Sequence, residues 1–232
     1  MSKTRAELTS AVREVMNAAG STQWTDANLQ MWLGLAHWTE YANLLNAINT
    51  YTLQQVTVTQ DVNGQFTVAS LSTGSGDTAK NFYRMLSLTQ PAQTNGIIQI
   101  FYQETRYELY PNPQPNTAMP YVWYRYGSNV QVLPVQYGTS LTATVNYRPP
   151  RVDQLSADSV AVDFPDGYES LLVFRAAALA LRKGGSEVPA AKEWDRQADA
   201  LRALMLMDLA RTGTKPIVAR AFDDASDWGS SG

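Results

Sequence analysis

The chain of 232 residues has no cysteine and one histidine, His37. Without cysteine there is no disulfide scaffold, no thiol nucleophile and no thiolate metal site. One imidazole excludes a multi-histidine zinc centre and argues against a Ser-His-Asp machine, because His37 lies between Trp32 and Trp38 on an apolar helical stretch and reads as a partly buried structural residue. No apolar run reaches the eighteen residues that would suggest a membrane span, and the N-terminal stretch 1–15 is too polar for a signal peptide, so synthesis in a cytoplasm is expected. Basic residues are not in excess. Eighteen Lys and Arg against 21 Asp and Glu leave a formal charge of -3, which argues against a general nucleic-acid binder. Phosphate-binding glycine motifs are missing, none of the lysines stands in a Ser-x-x-Lys arrangement, and no cofactor is implied.

What remains is a globular composition, 44% apolar and 17% charged, with enough apolar surface for one or two cores. Thr4 and Glu7 form a capping box for a first helix with Leu8, Ala11, Val12, Val15 and Ala19 on one face and Gly20 as its stop. Thr25 caps a second helix that carries Leu29, Trp32, Leu33, Ala36, Tyr41 and Leu44 toward Asn49. From residue 51 to 150 the period becomes two. Val56 and Val58 alternate with threonines, Asn63-Gly64 marks a hairpin turn, and Phe66 and Val68 start a return strand. Further strands are predicted at 82–89, 97–103, 106–110, 121–126, 130–134 and 140–147, the pattern of an antiparallel sandwich or barrel.

The stretch 163–213 is the most informative. A helix beginning after Pro165 is apolar on nearly every side through Leu171, Phe174 and Leu179, until Gly184 and Gly185 end it. Ser186 and Pro189 open another, with Trp194, Ala198, Leu201, Met205 and Leu209 at helical spacing and Leu204, Leu206 and Met207 widening the stripe. This is more apolar surface than one small domain consumes, and it predicts packing against further copies through Leu171, Phe174, Leu179, Trp194, Leu201, Leu204 and Met205.

The lead-in Phe164, Pro165, Asp166, Tyr168, the Ala/Leu-rich helix and its Arg182-Lys183-Gly184 turn resemble the C-terminal helices of head-to-tail adaptor (head-completion, connector) proteins of tailed bacteriophages. Trp24-Thr25-Asp26-Ala27 with Leu29, Trp32 and Leu33 is similar to the second helix of that family. The resemblance implies a structural virion protein with no enzymatic activity, sitting at the head–tail interface and made in the bacterial host cytoplasm. It implies a ring, of twelve copies, that joins the portal to a downstream nozzle or tail-tube protein, lets DNA pass non-specifically and has no membrane span. The size of the β insert leans toward short-tailed phages, the podophage-like adaptors. The expected fold is α+β: helical bundle parts at 1–49 and 161–211, an inserted all-β domain at 50–160, and an extended arm at 212–232. On that arm Ile217, Val218, Arg220 and Phe222 would anchor to the portal or a neighbouring subunit.

Ten of the twelve tyrosines fall between Tyr51 and Tyr147, a composition suited to wet protein contacts, sugar stacking or β-sheet filling alike. Tyr121, Trp123 and Tyr124 are the expected tail-facing or inter-subunit β surface, and also the candidate platform of a carbohydrate-binding module. A cell-wall glycan hydrolase needs only two carboxylates. Glu104 and Glu108 are the best pair, although Arg106 between them favours a salt bridge. Asp223, Asp224 and Asp227 read as a solvated acidic tail more readily than as a cation site.

Overall fold

A computed structural model describes residues 2–18, 21, 23–48, 50–91, 97–102, 122–133, 138–184 and 188–212. Helix α1, Arg5–Val15, starts at the Thr4 capping box: the Thr4 amide donates to Glu7 Oε2 at 2.7 Å and the Glu7 amide to Thr4 Oγ1 at 3.3 Å. It stops earlier than expected. Asn17 takes a left-handed φ of 50°, its amide reaches the Glu14 carbonyl and that of Ala18 the Arg13 carbonyl, a Schellman close in which asparagine does the work assigned to Gly20. Gly20 itself lies outside the described residues.

Helix α2, Asp26–Ala47, is capped by Thr25, whose hydroxyl accepts from the Asn28 amide. An Arg13–Asp26 ion pair of 2.5 Å ties its start to the end of α1. Gly34 lets α2 approach the 3-10 turn Val152–Gln154: a Cβ there would stand 2.0 Å from Asp153 Oδ1.

Among the described residues seven strands follow, β1 Leu53–Thr59, β2 Gln65–Thr67, β3 Asn81–Pro91, β4 Ile97–Tyr102, β5 Val122–Tyr126, β6 Asn129–Leu133 and β7 Ser140–Arg148, in the order β1-β7-β3-β4-β5-β6-β2. All pairs are antiparallel except β4 with β5, which run parallel for two residue pairs. The turn at Asp61–Gly64 forms as an Asx turn, with Asp61 Oδ1 accepting from the Asn63 and Gln65 amides and Gly64 at φ 72°. The expected β1/β2 ladder does not form. β2 pairs with β6, and Val68 opens a 3-10 turn, Val68–Leu71, rather than extending the strand. The two edge strands still share one interior, where Val58, Phe66, Leu71, Leu88, Ile100, Val132, Leu141 and Val145 are buried, but no ladder closes it into a barrel among the described residues. The strand predicted at 106–110 lies outside the described residues.

Helices α3, Glu169–Gly184, and α4, Val188–Thr212, then return to the N-terminal pair. Leu8 and Val12 of α1, Leu29, Leu33 and Leu44 of α2, Leu171, Leu172 and Ala176 of α3 and Met205 of α4 are buried in one core. The architecture is α+β. Residues 158–162 bind the N-terminal strap, the Arg5 and Ala6 amides donating to the Val160 and Asp158 carbonyls and the Val162 amide to that of Lys3. Among the described residues no helix is long and apolar enough to cross a membrane.

Candidate assembly surfaces

The lead-in to α3 explains its own residue types. Phe164 is buried edge-on against His37 at 6.1 Å, the Tyr168 amide closes a turn onto the Pro165 carbonyl, and Gly167 supplies the turn's φ of 86°. Glu169 Oε2 accepts from the Gly167 amide, and the Tyr168 hydroxyl donates to Asp208 of α4. His37 Nε2 donates to the Asp163 carbonyl at 2.9 Å, and burial lowers the imidazole from its ordinary 6.5 to about 4. The histidine is therefore neutral and structural, as its neighbours in the sequence suggested, but fully rather than partly buried.

Three helices are joined by charge. Glu40 of α2 is fully buried and accepts from Arg175 Nε of α3 at 2.9 Å and from Arg202 Nε and Nη2 of α4 at 2.6 Å each. Arg175 continues to Asp195 at 2.5 Å and Asp199 at 2.6 Å; Arg182 also bonds Asp195, and Arg202 meets Asp199 at 3.2 Å. Three carboxylates and three guanidiniums balance. Glu40 is its fully buried member, whereas Asp199 and Arg182 are more than half exposed, so the desolvation penalty of breaking the network centres on Glu40, where α2, α3 and α4 meet. The helices meet the sheet through Arg148 of β7, whose guanidinium lies 4.5 Å from the Trp38 ring and 4.0 Å from the Tyr83 ring, while the Tyr83 hydroxyl donates to Asn46 at 2.8 Å.

The residues predicted to pack between copies separate into classes. Leu171 and Met205 are buried in the chain's own core. Phe174 and Trp194 stack on each other at 5.2 Å and 16°, and with Leu179 and Leu201 they are half-buried on its margin. Leu204 is 53% exposed and Met207 51%, next to exposed Ala200, Ala203 and Ala210 on the outer face of α4. A second stripe was not anticipated: Met31, Leu35 and Trp38 stand outward on α2 at 42, 39 and 38% exposure, one to two turns apart. Trp123 and Tyr124, expected on a contact surface, are buried within the chain, and the exposed ring beside them is Tyr102, tilted over Trp123 at 4.6 Å. Tyr121 and the arm residues Ile217, Val218, Arg220 and Phe222 lie outside the described residues, as do Glu104, Glu108, Asp223, Asp224 and Asp227. Among the described residues no group of three His, Asp or Glu side chains is placed to hold a metal ion.

Sequence reasoning missed the ion network and the Arg148 sandwich. The signal for the first was present, since Glu40 and Arg175 are lone charges inside otherwise apolar helical stretches, where only a partner makes a charge tolerable. No curated protein sequence compared with the chain matches it significantly. A protein-family model described as the SU10 adaptor protein matches residues 3–220.

Proposed function

The chain belongs to the SU10 adaptor protein family, and from that premise, a phage structural adaptor rather than an enzyme, we propose that it forms a ring that joins the portal of the head to the tail and continues the DNA channel. The match over nearly the whole chain carries this reading. The two outward apolar stripes support it, because they lie on different helices, α2 and α4, held in fixed relation by the Glu40 network. A patch on one subunit that fits a different patch on the next is a heterologous contact, which closes into a ring when the rotation allows. Twelve copies, with the portal as template, are the proposed number. Beyond Thr212, the anchors Ile217, Val218, Arg220 and Phe222 are proposed to dock on the portal or the adjacent subunit, and the β sheet to face the downstream tail protein. A net charge of -3 suits a channel through which DNA must slide without sticking.

Electron microscopy of the chain mixed with the portal ring of the same genome tests the proposal. A stacked ring on the portal is the expected result, and a chain that stays monomeric and ignores the portal would overturn it. For the rivals, the hydrolase pair Glu104 and Glu108 lies outside the described residues, and of the carbohydrate platform Tyr124 is buried while Trp123, 8% exposed, reaches only a groove wall.

A further inference from the structure

On the sheet a groove of about 490 Å³ runs beside β3 and β5. Its apolar wall includes Phe82, Tyr102 and Trp123, and two arginines, Arg84 and Arg125, line it as well. Both arginines are exposed, and neither pairs with a carboxylate among the described residues. Arg84 Nη2 donates only weakly to the Leu45 carbonyl at 3.4 Å, and Arg125 Nε to the Gly127 carbonyl at 3.1 Å. Aromatic surface beside two guanidiniums that meet no carboxylate among the described residues selects for a ligand that has a ring and carboxylates a few residues apart. The volume falls within the range of ligand clefts and admits several side chains.

The chain supplies such a segment. Its last 20 residues, 213–232, include Phe222, Asp223, Asp224, Asp227 and Trp228. We infer that in the free chain this acidic, aromatic end occupies the groove on its own sheet. The geometry favours the chain's own tail over that of another copy. α4 returns along α3 so that its Asp208 bonds Tyr168 at the start of α3, next to Asp163, which lines a cleft together with Lys80 and Tyr147 of the sheet region. The tail therefore leaves the helices at the end facing the sheet. The groove begins there too, since Tyr83 and Arg84 hold Asn46 and Leu45 at the end of α2. Twenty extended residues reach up to about 65 Å, and a tether of that length gives the tail an effective concentration of order millimolar at its own groove. Docking of the arm elsewhere has then to compete with this contact, which withholds the arm until a better partner is present. The contact concerns the chain alone and stands or falls independently of the adaptor reading.

Photo-crosslinking of the full-length chain tests it, with benzoylphenylalanine in place of Trp228 and the products mapped by mass spectrometry. The expected product is intramolecular, onto β3 or β5 at the groove, with a yield that falls at least fivefold for Arg84→Glu with Arg125→Glu and between 50 and 500 mM salt. Asp223→Lys with Asp224→Lys, which alters no described residue, is expected to give the same loss, and combining both charge reversals to restore the yield. Crosslinks to a second copy, crosslinks into residues 103–121 that connect β4 to β5, or a yield indifferent to both reversals would overturn the inference.

Discussion

His37 shows how one buried side chain sets a pH limit. Its Nε2 is committed to the Asp163 carbonyl, its ring is enclosed by Tyr41 and Phe164, and burial holds its pKa near 4. In the unfolded chain the same imidazole titrates near 6.5, so between those values the unfolded state binds the extra proton and stability falls as pH falls. The full difference is about 3 kcal/mol, of which about 2 kcal/mol is lost between pH 7 and pH 5. The charges of Asp153 and Arg151 oppose one another at the ring. The Asp163 carboxyl, raised by burial against the pull of Lys80, gains stability as pH falls through its own range and so offsets the loss at the acid end. Urea unfolding at pH 7 and pH 5 should show the drop in the native chain, while His37→Gln, which keeps an N–H for the carbonyl, should flatten it; an equal slope in both would exclude His37 as the cause. Glu40 is a costlier residue to change. Glu40→Ala removes the fully buried carboxylate that Arg175 and Arg202 share, leaving them only Asp195 and Asp199, and is expected to lose about 3 kcal/mol, read as a fall in melting temperature of about 10 °C for a chain this size. Glu40→Gln, which keeps the acceptor but not the charge, should lose less.

Among the elements, α4 has two faces that do different work. Met205 and Trp194 face α3, whereas Leu204 and Met207 face outward. Met205→Ala is expected to cost about 3 kcal/mol through the cavity it leaves, and Leu204→Glu less than about 0.5 kcal/mol, because surface positions tolerate polar groups. Denaturant midpoints of the two variants check this; comparable losses would mean the outer stripe is structural within one chain. The capping box of α1, the Thr25 cap and the apolar stripes of α3 and α4 were legible in the sequence because each is a local pattern of side chains and hydrogen bonds. The positions of the described strands were legible as well, except that Val68 turns instead of extending β2. Strand partners were not, since β2 finds β6 across 60 or so residues and nothing local distinguishes that pairing from the short hairpin. The end of α1 was misplaced because asparagine, tolerant of the left-handed region, stopped the helix before the glycine could. Of the candidate contact residues, helical spacing identified the apolar ones but could not say which the chain would bury in itself. That choice depends on the Glu40 network, which turns one face of α4 inward, and on residues far apart in sequence.

For the molecule as a whole, the proposed ring makes a demand that a simple dimer does not. If the α2 stripe of one subunit meets the α4 stripe of the next, each chain carries two different half-contacts, and spoiling either one stops closure. Leu35→Glu destroys the first and Leu204→Glu the second, and both are exposed positions in the folded chain, so each variant should remain folded. Either variant alone, added to the portal, is expected to give no closed ring. Mixed in equal amounts, the two should recover one contact, the intact α2 face of the Leu204→Glu chain on the intact α4 face of the Leu35→Glu chain. That contact cannot propagate, because every remaining face carries a buried-face glutamate, so the mixture should stop at pairs. Native mass spectrometry of the portal-bound material distinguishes the cases. Pairs in the mixture and single chains in each variant alone support a heterologous contact through these stripes. Closed rings from either variant would remove the stripes from the interface, and homodimers of one variant would show a contact between like faces instead.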